Sequence, residues 1–487
     1  GDTFVQRAPH DHGLELAEVH AAGRGELQRA IDAAVAAQHD WAAMPFADRA
    51  AIFLRAADLL AGSWRDTINA ATILGQSKSV QQAEIDAACE LIDFLRFNVG
   101  YAEQLLSEQP RSADGEWNRL DLRPLEGFVL AITPFNFTAI AGNLPTAPAI
   151  VGNTVVWKPS EKQALAAHHT MRLLQAAGLP DGVINLVHGD GAQAAEVALA
   201  DPRFAALHFT GSEAVLTSLW QRIGGNVERY RSFPRIVGES GGKDFVLAHP
   251  SARLDPLVVA LGRGAFEYQG QKCSAASRAY LPRSLWTQLR DPLADVATTM
   301  TMGDVGTDLS TFMGAVIDER AFRTHAAAIE RARDAGAEVL VGGDPDDADG
   351  WFVPPTVLVT DDPRSHTMTT ELFGPILTVF VYEDDDWSSM LPEVDRATRY
   401  ALTGAVFAED RRVLSEASEA LRNTAGNLYL NDKPTGSIVS RQPFGGARRS
   451  GTNDKAGSVF NLLRWVSPRA IKETWDGPSD WRYPHQA

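Results

Sequence analysis

Cys273 sits in 268-YQGQKCSAASRAY-280 and is one of 2 cysteines in 487 residues. A free cysteine ordinarily settles in an apolar core, yet its neighbours here are Gln, Gly, Lys and Ser. A thiol that attacks carbon needs access and a way to reach the thiolate, and an apolar core offers neither. A polar loop between a predicted helix and a predicted strand makes Cys273 a candidate nucleophile, with a plain loop thiol as the alternative. Glu239 in 238-GESGGK-243 is a carboxylate beside glycines, which let a chain turn sharply. By itself it reads as a surface or ion-paired acid; beside a nucleophile it reads as a base. Asn136 in 134-PFNF-137 puts an amide donor directly after a strand end, where it can oppose charge developing on oxygen. Glu371 in 371-ELFGP-375 precedes a turn, and Lys158 in 157-WKPSE-161 ends a strand.

Periodicity gives the elements that must place these groups. The first hundred residues read as helices, among them 48–62, which closes on Gly62, and 83–106. Cys89 falls inside the second and reads as a small hydrophobe at a helix interface. Residues 111–125 break the pattern and read as an exposed strand or hairpin arm; a long unpaired edge invites a partner. From 126 the chain alternates strands (127–134, 153–159, 183–189, 205–211) with helices (139–151, 160–178). The second of these helices opens on Ser160 with Gln163 three places on, a capping-box pattern. After 240 the alternation resumes, with strands at 243–248 and 278–282 about a helix at 254–268 and further strands to 432. Such alternation implies parallel sheets with crossover helices, an α/β fold in two units. The acidic tracts 344–349 and 383–386 read as solvated loops.

Two turns have the look of phosphate sites. The segment 189-GDGAQA-194 fits G-x-G-x-x-A after a strand, but no acidic residue closes the next strand. A tight turn before a helix is the favoured reading. In 209-FTGSEAV-215, Gly211 permits close approach and Ser212 can cap a helix start, whose free N–H groups attract anions.

Composition narrows the function classes. With 45 basic and 62 acidic side chains the formal charge is −17, which disfavours nucleic acid and anionic membranes as partners. Two cysteines exclude a disulfide framework and point to a reducing compartment. No apolar run approaches the ~20 residues of a membrane span. The start, GDTFVQRAPHDHG, shows neither a signal peptide nor Met, so a cleaved targeting segment stays open. No histidines have metal-ligand spacing; His168 and His169 are consecutive and on a helix would point about 100° apart.

Seven segments, PFNF, WKPSE, FTGS, GESGGK, GQKCS, ELFGP and PFGG, occur in this order across nearly the whole chain. Together they resemble the aldehyde dehydrogenase superfamily. The resemblance implies a Rossmann-like NAD-binding domain, an α/β catalytic domain and a β oligomerisation arm. On this chain that gives 1–110 and 126–237 to cofactor binding, with the first part helical. It gives 111–125 to the arm, 238–458 to catalysis and 459–487 to a C-terminal oligomerisation segment. It implies Cys273 as nucleophile, Asn136 and the Cys273 N–H as oxyanion hole, and Glu239 as the base that activates water against a thioester. Cofactor contacts carry over to Lys158 and Glu161 at the adenosine ribose, Gly211 and Ser212 at the pyrophosphate, and Glu371 and Phe373 near the nicotinamide. A carboxylate at the ribose repels a 2′-phosphate, so NAD is expected over NADP. Ser240 departs from the leucine usual in the family at that place.

Four longer segments, 132–144, 219–245, 266–275 and 431–457, resemble the branch that oxidises L-glutamate γ-semialdehyde to glutamate at the end of proline degradation. That branch implies Gly436, Ser437 and Ser274 on the substrate carboxylate, Phe137 and Phe444 on its aliphatic stem, and Glu90 at its ammonium. The turn 435-TGS-437 suits the carboxylate chemically, because successive backbone N–H groups form an anion nest. Glu90 alternatively reads as an ordinary helix-surface acid. Competing readings are a dehydrogenase of another semialdehyde such as succinate semialdehyde, a non-enzymatic structural protein of the same fold, and a cysteine hydrolase. Intact Cys273, Asn136 and Glu239 weigh against the structural protein. The resemblance further implies a homodimer or higher oligomer, metabolic coupling to proline dehydrogenase, and a cytoplasmic location, or the mitochondrial matrix in a eukaryote.

Overall fold

The computed structural model describes residues 2–486. Two parallel sheets organise it. Strands such as Thr154–Pro159 and Asp244–Ala248 are buried along their whole length, as expected of parallel strands covered by helices on both faces. The first sheet has five strands in the spatial order Ile184–Leu186, Thr154–Pro159, Phe128–Thr133, Phe204–Thr210 and Arg235–Glu239. All of its pairings are parallel. The chain enters at Phe128–Thr133, fills one side, then crosses to the other. A topological switch point therefore lies beyond Thr133 and Thr210, where open α/β sheets bind ligands.

The second sheet has seven strands, ordered Glu338–Val341, Thr356–Thr360, Ile376–Tyr382, Ala276–Pro282, Asp244–Ala248, Thr403–Phe407 and Asn427–Leu430. Only its first pairing is antiparallel. The last strand of the first sheet ends at Glu239, and five residues later a strand of the second sheet begins at Asp244. The carboxyl ends of the first sheet thus face the amino ends of strands in the second.

Several features depart from the sequence reading. Residues 3–20 form an antiparallel hairpin, Thr3–Ala8 with Asp11–His20, instead of helix. Its turn is bonded from outside: the Trp351 N–H donates to Pro9 O at 3.0 Å, a tertiary contact that periodicity cannot show. The expected capping box does not form. Ser160 Oγ accepts from Lys162 N–H at 3.4 Å, and a 3₁₀ turn, Glu161–Gln163, precedes the helix Ala164–Ala176. Cys89 is exposed, not packed at an interface. It lies in a π-helical turn, Glu84–Glu90, between Val80–Ala83 and the helix Leu91–Ser107. The wider turn breaks the 3.6 period on which the interface reading rested. The arm strand Glu116–Pro124 pairs antiparallel with Val466–Thr474, a partner the sequence reading did not name.

Candidate active site

Three strand ends of the first sheet point at the gap between the sheets. Beyond Thr133 comes Asn136, beyond Thr210 come Gly211 and Ser212, and Glu239 closes the last strand. From the other side, Cys273 precedes strand Ala276–Pro282, and Glu371 and Phe373 precede Ile376–Tyr382. Residues far apart in sequence meet because both sheets spend their strand ends there.

The turn before Cys273 is unusual. Tyr268, Gln269 and Gly270 are consecutive in left-handed conformation, with φ of 52°, 53° and 64°. Non-glycine residues in such a region cost roughly 1–3 kcal/mol and persist only where the surroundings impose them. Here Gln269 Nε2 donates to Ser77 O and Ala315 O, both at 2.8 Å. Gly270 is required on contact grounds, since a Cβ would lie 2.3 Å from Gly374 O. Asn136 Nδ2 donates to Gln271 O at 3.0 Å, tying its amide to the cysteine loop. The turn at Cys273 is closed from Ala275 N–H to Lys272 O at 3.0 Å, and among the described residues no backbone acceptor takes the Cys273 N–H.

Burial sets the electrostatics. It pushes the Cys273 thiol well above its ordinary value, and the carboxyl groups of Asp244, Glu239, Glu371 and Glu90 add to the effect. Burial also raises Glu239 to about 8, opposed by the Gly446 N–H, which donates to Glu239 Oε2 at 2.7 Å. Glu371 rises to about 7 from the same cause, opposed by the Gly242 N–H that donates to its Oε1 at 2.9 Å. Cys273, Glu239 and Glu90 are only partly covered, and each lines the cavity toward which it remains open. Ser240 is buried, with Oγ donating to Arg449 O at 2.7 Å. A hydroxyl in place of leucine is therefore satisfied.

Two cavities meet at Cys273. The first is walled by Ile132, Pro134, Phe135, Asn136, Lys158, Phe209, Gly211, Ser212, Glu371 and Phe373. Its walls are apolar, with a buried Lys158 ammonium and the start of helix Glu213–Gly225 at one end. Glu213 in that first turn carries a charge that would oppose an anion, but Arg399 and Arg449 hold its carboxylate. Glu161 is not brought into this cleft; it is exposed and lines a separate groove against the amino-terminal hairpin. It stays near enough to Lys158 to raise that lysine's pKa against the larger, lowering effect of burial. In the GDGAQA turn, Asp190 caps its own helix, accepting from Gln193 N–H at 2.6 Å. A carboxylate fills the place a phosphate would need.

The second cavity gathers Glu90, Phe137, Glu239, Ser274, Gly436, Ser437 and Phe444 with Cys273. Ser274 Oγ and Thr435 Oγ1 are 2.8 Å apart and buried, joining the cysteine loop to the TGS turn. Gly436 has φ 93°, which favours glycine there. Thr435, Lys272 and Lys455 also line this cavity, and the sequence reading passed them over. Lys272 beside the cysteine was a visible signal; its ammonium turns to Glu267 Oε2 at 2.9 Å. Lys455 had none, since its partners are acceptors brought in by the fold: Gly426 O at 2.8 Å, with Gly445 O and Asn427 Oδ1 at 3.2 Å. Among the described residues no group of three or more His, Cys, Asp or Glu is placed to hold a metal.

The model of the Aldehyde dehydrogenase family matches residues 1–469. A delta-1-pyrroline-5-carboxylate dehydrogenase of Agaricus bisporus is 48% identical over 485 residues, covering 98% of this chain and 88% of the relative. The human mitochondrial enzyme of that name is 47% identical over 485 residues, covering 99% and 86%. The crystal structure of the Delta-pyrroline-5-carboxylate dehydrogenase from Mycobacterium tuberculosis superposes with a TM-score of 0.96 at 59% identity, over 100% of this chain and 90% of that one. The same Mycobacterium tuberculosis protein has also been solved bound with NAD. Agreement over nearly the full length, in sequence and in three dimensions, means that this chain belongs to the aldehyde dehydrogenase family.

Proposed function

We propose that this protein oxidises L-glutamate γ-semialdehyde, the ring-opened form of Δ1-pyrroline-5-carboxylate, to L-glutamate with NAD. The observation that carries the reading is the junction of two cavities at Cys273, in a chain 47–59% identical to enzymes named for that substrate.

The apolar cleft fits a dinucleotide. Lys158 would hold the adenosine end, Gly211 and Ser212 the pyrophosphate, and Glu371 and Phe373 the nicotinamide end. NAD, when bound, supplies the hydride acceptor that turns an aldehyde adduct into a thioester. The chain's own residues do the rest. Once the thiol has passed its proton to water, Cys273 Sγ bonds to the aldehyde carbon and the carbonyl pair moves onto oxygen. The Cys273 N–H and the second N–H of the Asn136 amide face that oxygen. Glu239 later takes a proton from water attacking the thioester, and Sγ leaves as the C–S bond breaks. Phe137 and Phe444 pack the stem of the substrate. Ser274, Gly436 and Ser437 receive its carboxylate, and Glu90, raised to about 8 by burial and by Asp86, meets its ammonium. Glu161, close enough to Lys158 to act on it by charge, would disfavour the added phosphate of NADP.

Steady-state assays with pyrroline-5-carboxylate, succinate semialdehyde, NAD and NADP test the reading. The highest kcat/KM is expected for pyrroline-5-carboxylate with NAD; a higher value for succinate semialdehyde would overturn the substrate assignment. Gly241→Ala gives a second check. A Cβ there would lie 1.9 Å from Glu371 Oε1, so the carboxylate must leave the Gly242 N–H. Loss of one charged hydrogen bond predicts about a tenfold rise in KM for NAD, with the melting temperature little changed.

We assign residues 1–110 and 126–237 to the cofactor domain, 238–458 to the catalytic domain, and 111–125 and 459–487 to oligomerisation. The ribbon of Glu116–Pro124 and Val466–Thr474 supports a homo-oligomer, because a two-stranded ribbon is marginal alone in water. Trp117, Trp475 and Trp481 are exposed on or beside it. No helix among the described residues is long and apolar enough to cross a membrane. The assigned place is the cytoplasm, or the mitochondrial matrix in a eukaryote, with proline dehydrogenase as the upstream enzyme.

A further inference from the structure

Lys78 is fully buried and has no part in the chemistry above. Its Nζ lies 2.6 Å from Asp86 Oδ2, also buried, and over two aromatic rings: 4.1 Å from the centroid of Phe137 and 4.4 Å from that of Tyr268. The rings meet edge to face with centroids 6.4 Å apart. Phe137 directly follows Asn136, the amide donor. Tyr268 opens the left-handed turn that leads to Cys273. Asp86 continues the link: its Oδ2 accepts from Thr138 N–H at 2.9 Å and its Oδ1 from Ala139 N–H at 2.8 Å. One carboxylate thus caps the helix Thr138–Ile150 immediately after the donor. Next to Lys78, Ser77 O accepts from Gln269 in the same left-handed turn.

A buried ammonium needs partners that offset its lost hydration. Lys78 finds one carboxylate and two ring faces, and cation–π attraction is strongest when desolvated. The two rings sit on the segments whose separation decides whether an oxyanion hole exists, and Asp86 holds the helix start that follows the first of them. We propose that Lys78 is a positioning residue that sets the spacing between the Asn136 amide and the Cys273 loop through its charge, resting on the assignment of Asn136 and Cys273 above. A neutral side chain of equal length would fill the volume and leave the rings and Asp86 without their common cation.

The test is a double-mutant cycle of Lys78→Met with Asn136→Ala, read in kcat, KM and NAD affinity. Asn136→Ala alone should lower kcat by about 10²–10³, the usual effect of losing an oxyanion donor. Lys78→Met should lower kcat about tenfold with the NAD dissociation constant within about twofold. In the double variant the Lys78 effect should largely vanish, because a misplaced donor and an absent one are alike. Lys78→Arg, which keeps the charge, should recover part of the loss. Multiplicative effects in the cycle, or wild-type kcat in Lys78→Met, would overturn the proposal, while wild-type turnover of pyrroline-5-carboxylate tests the underlying reading separately. Lys78→Met leaves Asp86 a buried carboxylate with two backbone N–H donors and no cation, which lowers stability. Tyr268→Leu keeps the ion pair and removes one ring; its kcat loss should likewise disappear on the Asn136→Ala background, and persistence of that loss would count equally against Lys78.

Discussion

Cys273→Ala should abolish aldehyde oxidation, by at least about 10⁴-fold in kcat, as loss of a covalent nucleophile does elsewhere. NAD should still bind with near-native affinity, measurable by fluorescence titration, because the cleft from Lys158 to Phe373 loses only one sulfur at its inner end. No neighbour can take over. Ser274, the adjacent hydroxyl, is committed to Thr435. Cys89, the other thiol, is exposed between Arg65 and Glu84, with its sulfur 3.7 Å from each, and lines neither cavity. Cys273→Ser should be nearly as inactive as the alanine variant, since a buried hydroxyl ionises far less readily than a thiol. Turnover of either variant above about a thousandth of wild type would remove Cys273 from the chemistry.

How much of this was legible beforehand divides by physical cause. The parallel strands were plain, because strands buried on both faces are written as short apolar runs such as 154-TVVWKP-159. The strand ends carried the chemistry, so motifs at those ends gave Asn136, Glu239, Lys158 and Gly211 as candidates. The amino-terminal hairpin was hidden because its turn is fixed by Trp351, more than three hundred residues away. The π-turn at Glu84–Glu90 was hidden for another reason. Composition there favours any helix, and the contacts that accompany the wider turn are tertiary: Asp86 bonds to the start of the helix Thr138–Ile150 and Glu90 lines the cavity. Glu161 was a candidate by position: its charge acts on Lys158, while its exposed side chain lines the neighbouring groove. Lys78 had no sequence signal at all, since a lysine before a helix is ordinarily a solvated cation.

Glu239→Gln separates the two halves of the reaction. The amide keeps the volume and can still accept from the Gly446 N–H, but cannot take a proton from water. Acylation of Cys273 should proceed once, giving NADH close to one equivalent per active site in a rapid burst. Steady-state kcat should then fall by about 10²–10⁴, the usual worth of a general base. The pH dependence gives the sign. Burial raises Glu239 to about 8, so in the folded protein the proton stays on well above the ordinary carboxyl range and the active base form grows as pH rises. Wild-type kcat should therefore climb about tenfold per pH unit below about 8 and level off above it. Glu239→Gln should lose that limb. The Cys273 thiol is also raised, by burial and by the carboxyl groups around it, so the burst rate should keep its own rise with pH in both proteins. A burst and a steady-state rate that fell together, with the alkaline rise intact, would place the base elsewhere and leave Glu239 as a buried acid on the cavity wall.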